Sequence, residues 1–188
     1  MNIILGRFNI ILMTTLILVA MGVIGCAHNK GASGRNDSAP KPKKSMWKDA
    51  TQISFHVEMN PDGSDRCVQA KIYRNNPITL VVDRSPVLHE GFIERADVID
   101  FMGTYAIRIK FDRTGTLLLD NVTTSNKGRH LAIFCYFTDA RWIGAPLITQ
   151  RISDGVFVFT PDATRDETER IVRGLNNVAK AIQPKKKG

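Results

Sequence analysis

Residues 105–137 read YAIRIKFDRTGTLLLDNVTTSNKGRHLAIFCYF, and this stretch decides the fold class. Tyr105, Ile107, Ile109 and Phe111 alternate with Ala106, Arg108 and Lys110, the period of a half-buried strand. Then the period lengthens. Leu118, Leu119 and Val122 share one helical face, Thr114 stands where a cap is needed, and Gly128 offers a left-handed stop. From Leu131 to Phe137 an unbroken apolar run suits a central strand.

Working upstream, Ile53, Phe55, Val57 and Met59 alternate with Ser54, His56 and Glu58, and Val68, Ala70 and Ile72 alternate with Gln69 and Lys71. The turn formers Asn60-Pro61-Asp62-Gly63-Ser64-Asp65 lie between them, so the two read as a hairpin. Ile78 to Asp83 is a third strand, and Gly91 to Ala96 leaves room for a short helix. Downstream, Pro146 to Ile152 and Val156 to Thr160 read as strands around the tight turn Ser153-Asp154-Gly155. A second helix starts at the capping box Thr164-Arg165-Asp166-Glu167 and carries Ile171, Val172, Leu175, Val178, Ala179 and Ile182 on one face. The expected class is α+β, a largely antiparallel sheet with two main helices packed on one face.

The chain of 188 residues has a formal charge of +8, concentrated at its ends. Arg7 contributes +1, residues 27–50 contribute +4 and Lys185–Lys187 contribute +3, so residues 51–184, with 16 basic and 16 acidic side chains, are neutral. A basic nucleic-acid-binding domain is thereby excluded. Residues 27–50 are rich in Gly, Ser, Asn, Pro and Lys and read as a flexible basic tether within the segment 26–50. Its lysines either hold the chain near anionic lipid or simply keep the tether solvated. One domain is expected over residues 51–184, followed by a basic tail at 185–188. Whether residues 51–85 complete its sheet or form a separate layer is open.

Residues 1–25 read as an export signal: Arg7, then an apolar stretch from Ile10 to Ile24. An uncleaved membrane helix over residues 8–25 is the competing reading. Val23-Ile24-Gly25-Cys26 resembles a bacterial lipobox. That resemblance implies cleavage after Gly25, lipidation of Cys26 with acyl chains such as palmitate, and a membrane-anchored envelope protein. Ala27 after the cysteine favours the outer over the inner membrane by analogy with enteric lipoproteins.

A second resemblance lies in the domain. Thr123-x-x-Asn126-x-Gly128-Arg129-x-Leu131-Ala132-Ile133 is followed by Ala145-Pro146-x-Ile148, Arg151-Ile152 and Phe159-Thr160 leading into a helix. Pro86-Val87-Leu88 and Phe111-x-x-x-Gly115 precede it. In order and spacing, residues 86–178 resemble the head subdomain of the first periplasmic domain (P1) of SecD, a protein-export subunit. The resemblance implies that fold and a mode of polypeptide binding. SecD's membrane helices have no counterpart after Gly188 here, so it does not imply a translocation motor.

Little points to chemistry. His28, His56, His89 and His130 are scattered, without metal-ligand spacing, and His56 falls on the polar phase of its strand, where solvent is expected. Asn60–Asp65 lacks the later Glu of a calcium loop. Asp120 and His130 have no serine partner, and no nucleophile elbow or phosphate loop is present. No catalytic, metal or cofactor residue is therefore named, and a non-enzymatic protein is expected. Cys67 and Cys135 either form a disulfide or leave Cys135 as a buried thiol. Tyr136, Phe137, Trp142 and Ile143, at the end of the central strand and in what reads as the loop after it, either present a peptide-binding surface or fold back to close the core. Trp47 either meets the membrane interface or docks on the domain. The leading expectation is a module that binds exported polypeptide or a Sec translocon component. The alternative is a structural or assembly lipoprotein with one fixed envelope partner.

Overall fold

The computed structural model describes residues 49–182. The signal segment, Cys26, most of the tether with Trp47, and the basic tail lie outside them.

Strand β1 (Gln52–Val57) buries Ile53, Phe55 and Val57 as its alternation requires. β2 (Cys67–Ile72) and β3 (Ile78–Asp83) follow. The hairpin expected between β1 and β2 is not formed. β2 pairs with β3, from Cys67 opposite Asp83 to Ile72 opposite Ile78, and β1 joins a different sheet. The reason lies in the partners on offer. Gln69 and Lys71 leave one face of β2 polar and exposed, whereas the apolar run from Leu131 supplies matching residues along the whole of β1.

The expected helix at residues 91–96 is likewise replaced. Only Glu90–Phe92 makes a turn of 3-10 helix after the short β4 (Leu88–His89), and from Ile93 the chain is strand β5 (Ile93–Phe101). A register shift between Ile93 and Arg95 breaks the two-residue alternation there, which hides the strand from a periodicity reading. β5 turns at Met102 and Gly103, both with positive φ, into β6 (Thr104–Phe111).

Helix α1 (Arg113–Ser125) is capped by Asp112, not Thr114: the Gly115 N–H donates to Asp112 Oδ1 at 2.7 Å. β7 (Leu131–Tyr136) is the expected central strand. Ala140–Gly144, read as part of a loop, is strand β8 beside it. Residues 146–152 form no strand: past β8 they follow the same side of the β7 segment only through the bridge of His130 with Leu147 and the bond from the Leu131 N–H to the Pro146 carbonyl at 3.0 Å. β9 (Val156–Phe159) pairs with β6, and α2 (Arg165–Ile182) ends the described chain. Its capping box is formed: Thr164 N–H donates to Glu167 Oε2 at 2.7 Å and Glu167 N–H to Thr164 Oγ1 at 3.3 Å.

The class is α+β with antiparallel pairing throughout these strands, in three sheets: β4-β1-β7-β8, β5-β6-β9 and the β2-β3 hairpin. Phe55, Ile133 and Ile143 from the first sheet meet Ile107, Ile109 and Phe157 from the second, and Leu119, Ile171 and Leu175 from the helices, in one core. A second cluster, Ala70, Ile72 and Val82 on Ala132 and Ala145, seats the hairpin on the other face of the four-stranded sheet. Residues 51–85 thus do both things left open: β1 sits inside the main sheet and β2-β3 make a separate layer.

α2 also seals an edge. Asn176 Oδ1 accepts from the Ala96 N–H at 2.9 Å and its Nδ2 donates to the Ala96 carbonyl at 2.8 Å, tying the helix to β5. Asn176→Ala leaves both half-buried backbone groups without this partner, and a loss of about 1–2 kcal/mol is expected in urea unfolding. An unchanged midpoint would show that water replaces the amide at no cost.

Candidate functional site

Successive residues of a strand point to opposite faces, and this divides the four aromatic and aliphatic residues singled out above. Phe137 and Ile143 enter the main core, at 8% and 0% exposure. Tyr136 shares the phase of Ala132 and Phe134 on the outer face and is 52% exposed. Trp142 is half-buried on that same outer face. Two of the four therefore close the core and two remain near the surface.

Trp142 is the centre of an aromatic group. Its ring meets Phe134 edge-on at 5.3 Å and His56 at 5.2 Å. Beneath it a cleft of about 380 Å³ runs between the sheet and the hairpin, lined by Val68, Pro86, Phe134 and Trp142 with Ser54, His56 and Arg84. On the other side of Trp142 lies a smaller hollow of about 210 Å³, which carries Lys71 and Arg74.

His56 departs from its expected solvated place. It is 8% exposed, because the β2-β3 layer covers the phase of β1 that its sequence marks as polar. Its Nδ1 lies 2.8 Å from the Asp83 carbonyl oxygen. A carbonyl only accepts, so Nδ1 carries the proton, and Nε2 is left to accept from the Ser54 hydroxyl at 2.9 Å. Burial lowers the His56 pKa from its ordinary 6.5, against the opposing pull of the Asp83 carbonyl and carboxylate. The unfolded chain therefore binds this proton at a higher pH than the folded one. Stability is expected to be fully present above pH 6.5 and to fall as pH drops from there towards the lowered folded value. Urea titrations should show that slope in the native protein and its loss in His56→Gln; an unchanged slope in the variant would assign it elsewhere.

A second network lies beside the hollow. The Arg141 guanidinium donates to Asp139 Oδ2 and to Glu167 Oε2, both at 3.0 Å, and to the Asp162 carbonyl at 3.1 Å. Arg74 reaches Asp162 and Glu167, each at 3.5 Å. Burial works against the Glu167 charge, but Arg141, the Thr164 N–H and Arg74 outweigh it and hold the carboxyl below its usual range. The capping residue of α2 is thus also the ion partner of β8. The capping role is visible in sequence; the ion-pair role is not until β8 is recognised as a strand.

The two cysteines of the alternative disulfide lie apart. Cys67, at the start of β2 in the hairpin, donates its thiol to Asp62 Oδ1 at 3.0 Å, while Cys135 is buried in β7; both are free. Burial pushes the Cys135 thiol up to about 12. Asp120 pairs with Arg151 at 2.7 Å, and His130 Nδ1 lies 2.7 Å from Glu58 Oε2, so the two residues considered for chemistry have separate partners. Among the described residues no group of three His, Cys, Asp or Glu side chains is placed to hold a metal. No described helix is long and apolar enough to cross a membrane.

A family model described as SecDF, P1 head subdomain matches residues 65–179, which takes in the β2-β3 hairpin, α1 and most of α2 but not β1 with the cleft residues Ser54 and His56. The chain belongs to the SecDF P1 head subdomain family. The match starts earlier than the resemblance read over residues 86–178, because it includes the β2-β3 layer. No curated protein matches the chain. Among solved structures, the P1 head is similar to a membrane component SecDF that enhances protein export, with a TM-score of 0.51 and 16% identity over 71% of this chain and 65% of that one. It is also similar to SecDF in a super-membrane-facing form, with a TM-score of 0.50 and 17% identity over 68% of this chain and 19% of that one. The chain thus spans about two thirds of the first and about a fifth of the second. At this identity the likeness concerns the fold.

Proposed function

We propose that this P1 head is a non-enzymatic extracytoplasmic module that binds exported polypeptide or a component of the export machinery. The observation that carries the reading is the family match over residues 65–179 to the P1 head subdomain of SecDF, and it supports an export-related role. The open aromatic step at Trp142 and the exposed Tyr136 give such a module a surface to work with. In this reading residues 1–25 direct export, lipidated Cys26 holds the protein in the envelope, facing the periplasm from the outer membrane, and residues 26–50 are the tether.

Photoactivatable residues at positions 136 and 142, crosslinked in cells with export running or blocked, test the reading. Many secretory chains captured only while export runs are the expected result. A single envelope protein captured under both conditions would replace it with the structural or assembly role. Incorporation of labelled palmitate, lost in Cys26→Ala, is the expected result for the anchor.

A further inference from the structure

The cleft beneath Trp142 has a polar floor that asks nothing of a ligand. The Ser54 hydroxyl donates to His56, and His56 donates to the Asp83 carbonyl. An apolar group seated there leaves neither side chain without its partner, so its burial is not offset by a lost hydrogen bond. The walls are apolar or aromatic.

The unpaired charge around this step is positive. Arg66 is held by Asp83, Arg74 by Asp162 and Glu167, and Arg141 by Asp139 and Glu167. Arg84 at the cleft and Lys71 at the hollow beyond Trp142 have no ion pair among the described residues. Two free cations thus flank an apolar step, the complement of an apolar residue flanked by two carboxylates.

We infer that the cleft under Trp142 docks one apolar side chain of an extended polypeptide segment that carries acidic residues on both flanks, with Arg84 and Lys71 meeting the two carboxylates. This rests on the reading of the domain as a polypeptide binder and supplies the chemistry it selects. Apolar burial gives the affinity, and the charges set the preference among segments and the sensitivity to salt.

The test uses the full chain in lipid nanodiscs and fluorescence anisotropy with four labelled probes. These are a capped peptide with a central Phe between two Glu residues, its counterpart with two Lys residues, reduced carboxymethylated ribonuclease A, and native ribonuclease A. The acidic peptide is expected to bind at least about tenfold more tightly than the basic one, with the gap closing at high salt. Arg84→Glu with Lys71→Glu, both at exposed positions, is expected to reverse that preference. Trp142→Phe is expected to weaken both peptides. The reversal is a gain of binding, so misfolding does not imitate it. Binding of unfolded but not native ribonuclease, unchanged by all three substitutions, would overturn the cleft assignment and leave the polypeptide-binding reading standing. Peptide binding that reverses as stated, without binding of unfolded ribonuclease, would do the opposite. No peptide preference in the native chain would overturn the inference.

Discussion

Phe55→Ala is expected to cost about 3–5 kcal/mol of folding stability, the largest effect among the single changes considered. Phe55 is fully buried in β1, and its ring stands edge-on to Phe111 and to Phe157, each at 5.8 Å. Those two rings belong to the other sheet, so one side chain joins the two layers of the main core. Truncation removes the transfer free energy of the ring and both aromatic contacts, the latter about 0.5–1.5 kcal/mol each beyond burial. The backbone of β1 cannot move in to fill the space, being held by β4 on one side and β7 on the other. Thermal unfolding should fall by roughly 10 °C or more, with an unchanged urea m-value. A loss below about 1 kcal/mol would mean that the sheets do not meet through this ring.

Gly174→Val comes next, at about 3 kcal/mol. Glycine inside a helix is itself unfavourable by about 1 kcal/mol, so its place in α2 needs a reason. A Cβ there would lie 2.1 Å from Thr51 Oγ1 and 2.4 Å from the Asp49 carbonyl oxygen. Thr51 is buried, and the segment leads directly into β1, so relief requires the strand to shift or the helix to lift. Gly174→Ala is expected to lose less, since the gain in helix propensity offsets part of the clash. If Gly174→Ala raised the thermal midpoint, the close crossing of the helix by residues 49–51 would be refuted.

The parts of this fold legible in sequence are those set by local period and caps. The alternation of residues 53–57 and 105–111, the apolar run from Leu131, and the reciprocal Thr164–Glu167 pair each determine an element without help from distant residues. Partner choice was not legible. The turn formers at Asn60–Asp65 argue for a hairpin that loses to the long-range match of β1 with β7, where Phe55 faces Ile133 and Val57 faces Leu131. β8 reads as loop because Arg141 interrupts it, yet that arginine is anchored to Asp139 and Glu167. The site follows the same rule. Trp142 stands out in sequence as an aromatic in an unusual place, but His56 and Arg84 belong to its surroundings only through the β2-β3 layer. Its burial reverses what the polar phase of β1 predicts for His56, because a strand's pattern records one covered face and does not anticipate a second.

The pairing of β1 with β7 also sets an order of events. Gln52 lies opposite Tyr136 and Val57 opposite Leu131, so the first described strand, which meets the two-residue β4 on one side, waits about eighty residues for the partner on its other side. The β2-β3 and β5-β6 hairpins close within their own short segments, on the order of microseconds. The four-stranded sheet is a non-local structure and belongs to the slower class of folding topologies. At ordinary rates of synthesis, roughly ten seconds separate the appearance of Ile53, Phe55 and Val57 from that of β7, which pairs along the whole of their strand. During that interval the chain is itself a nascent polypeptide with an apolar strand whose long pairing edge is open.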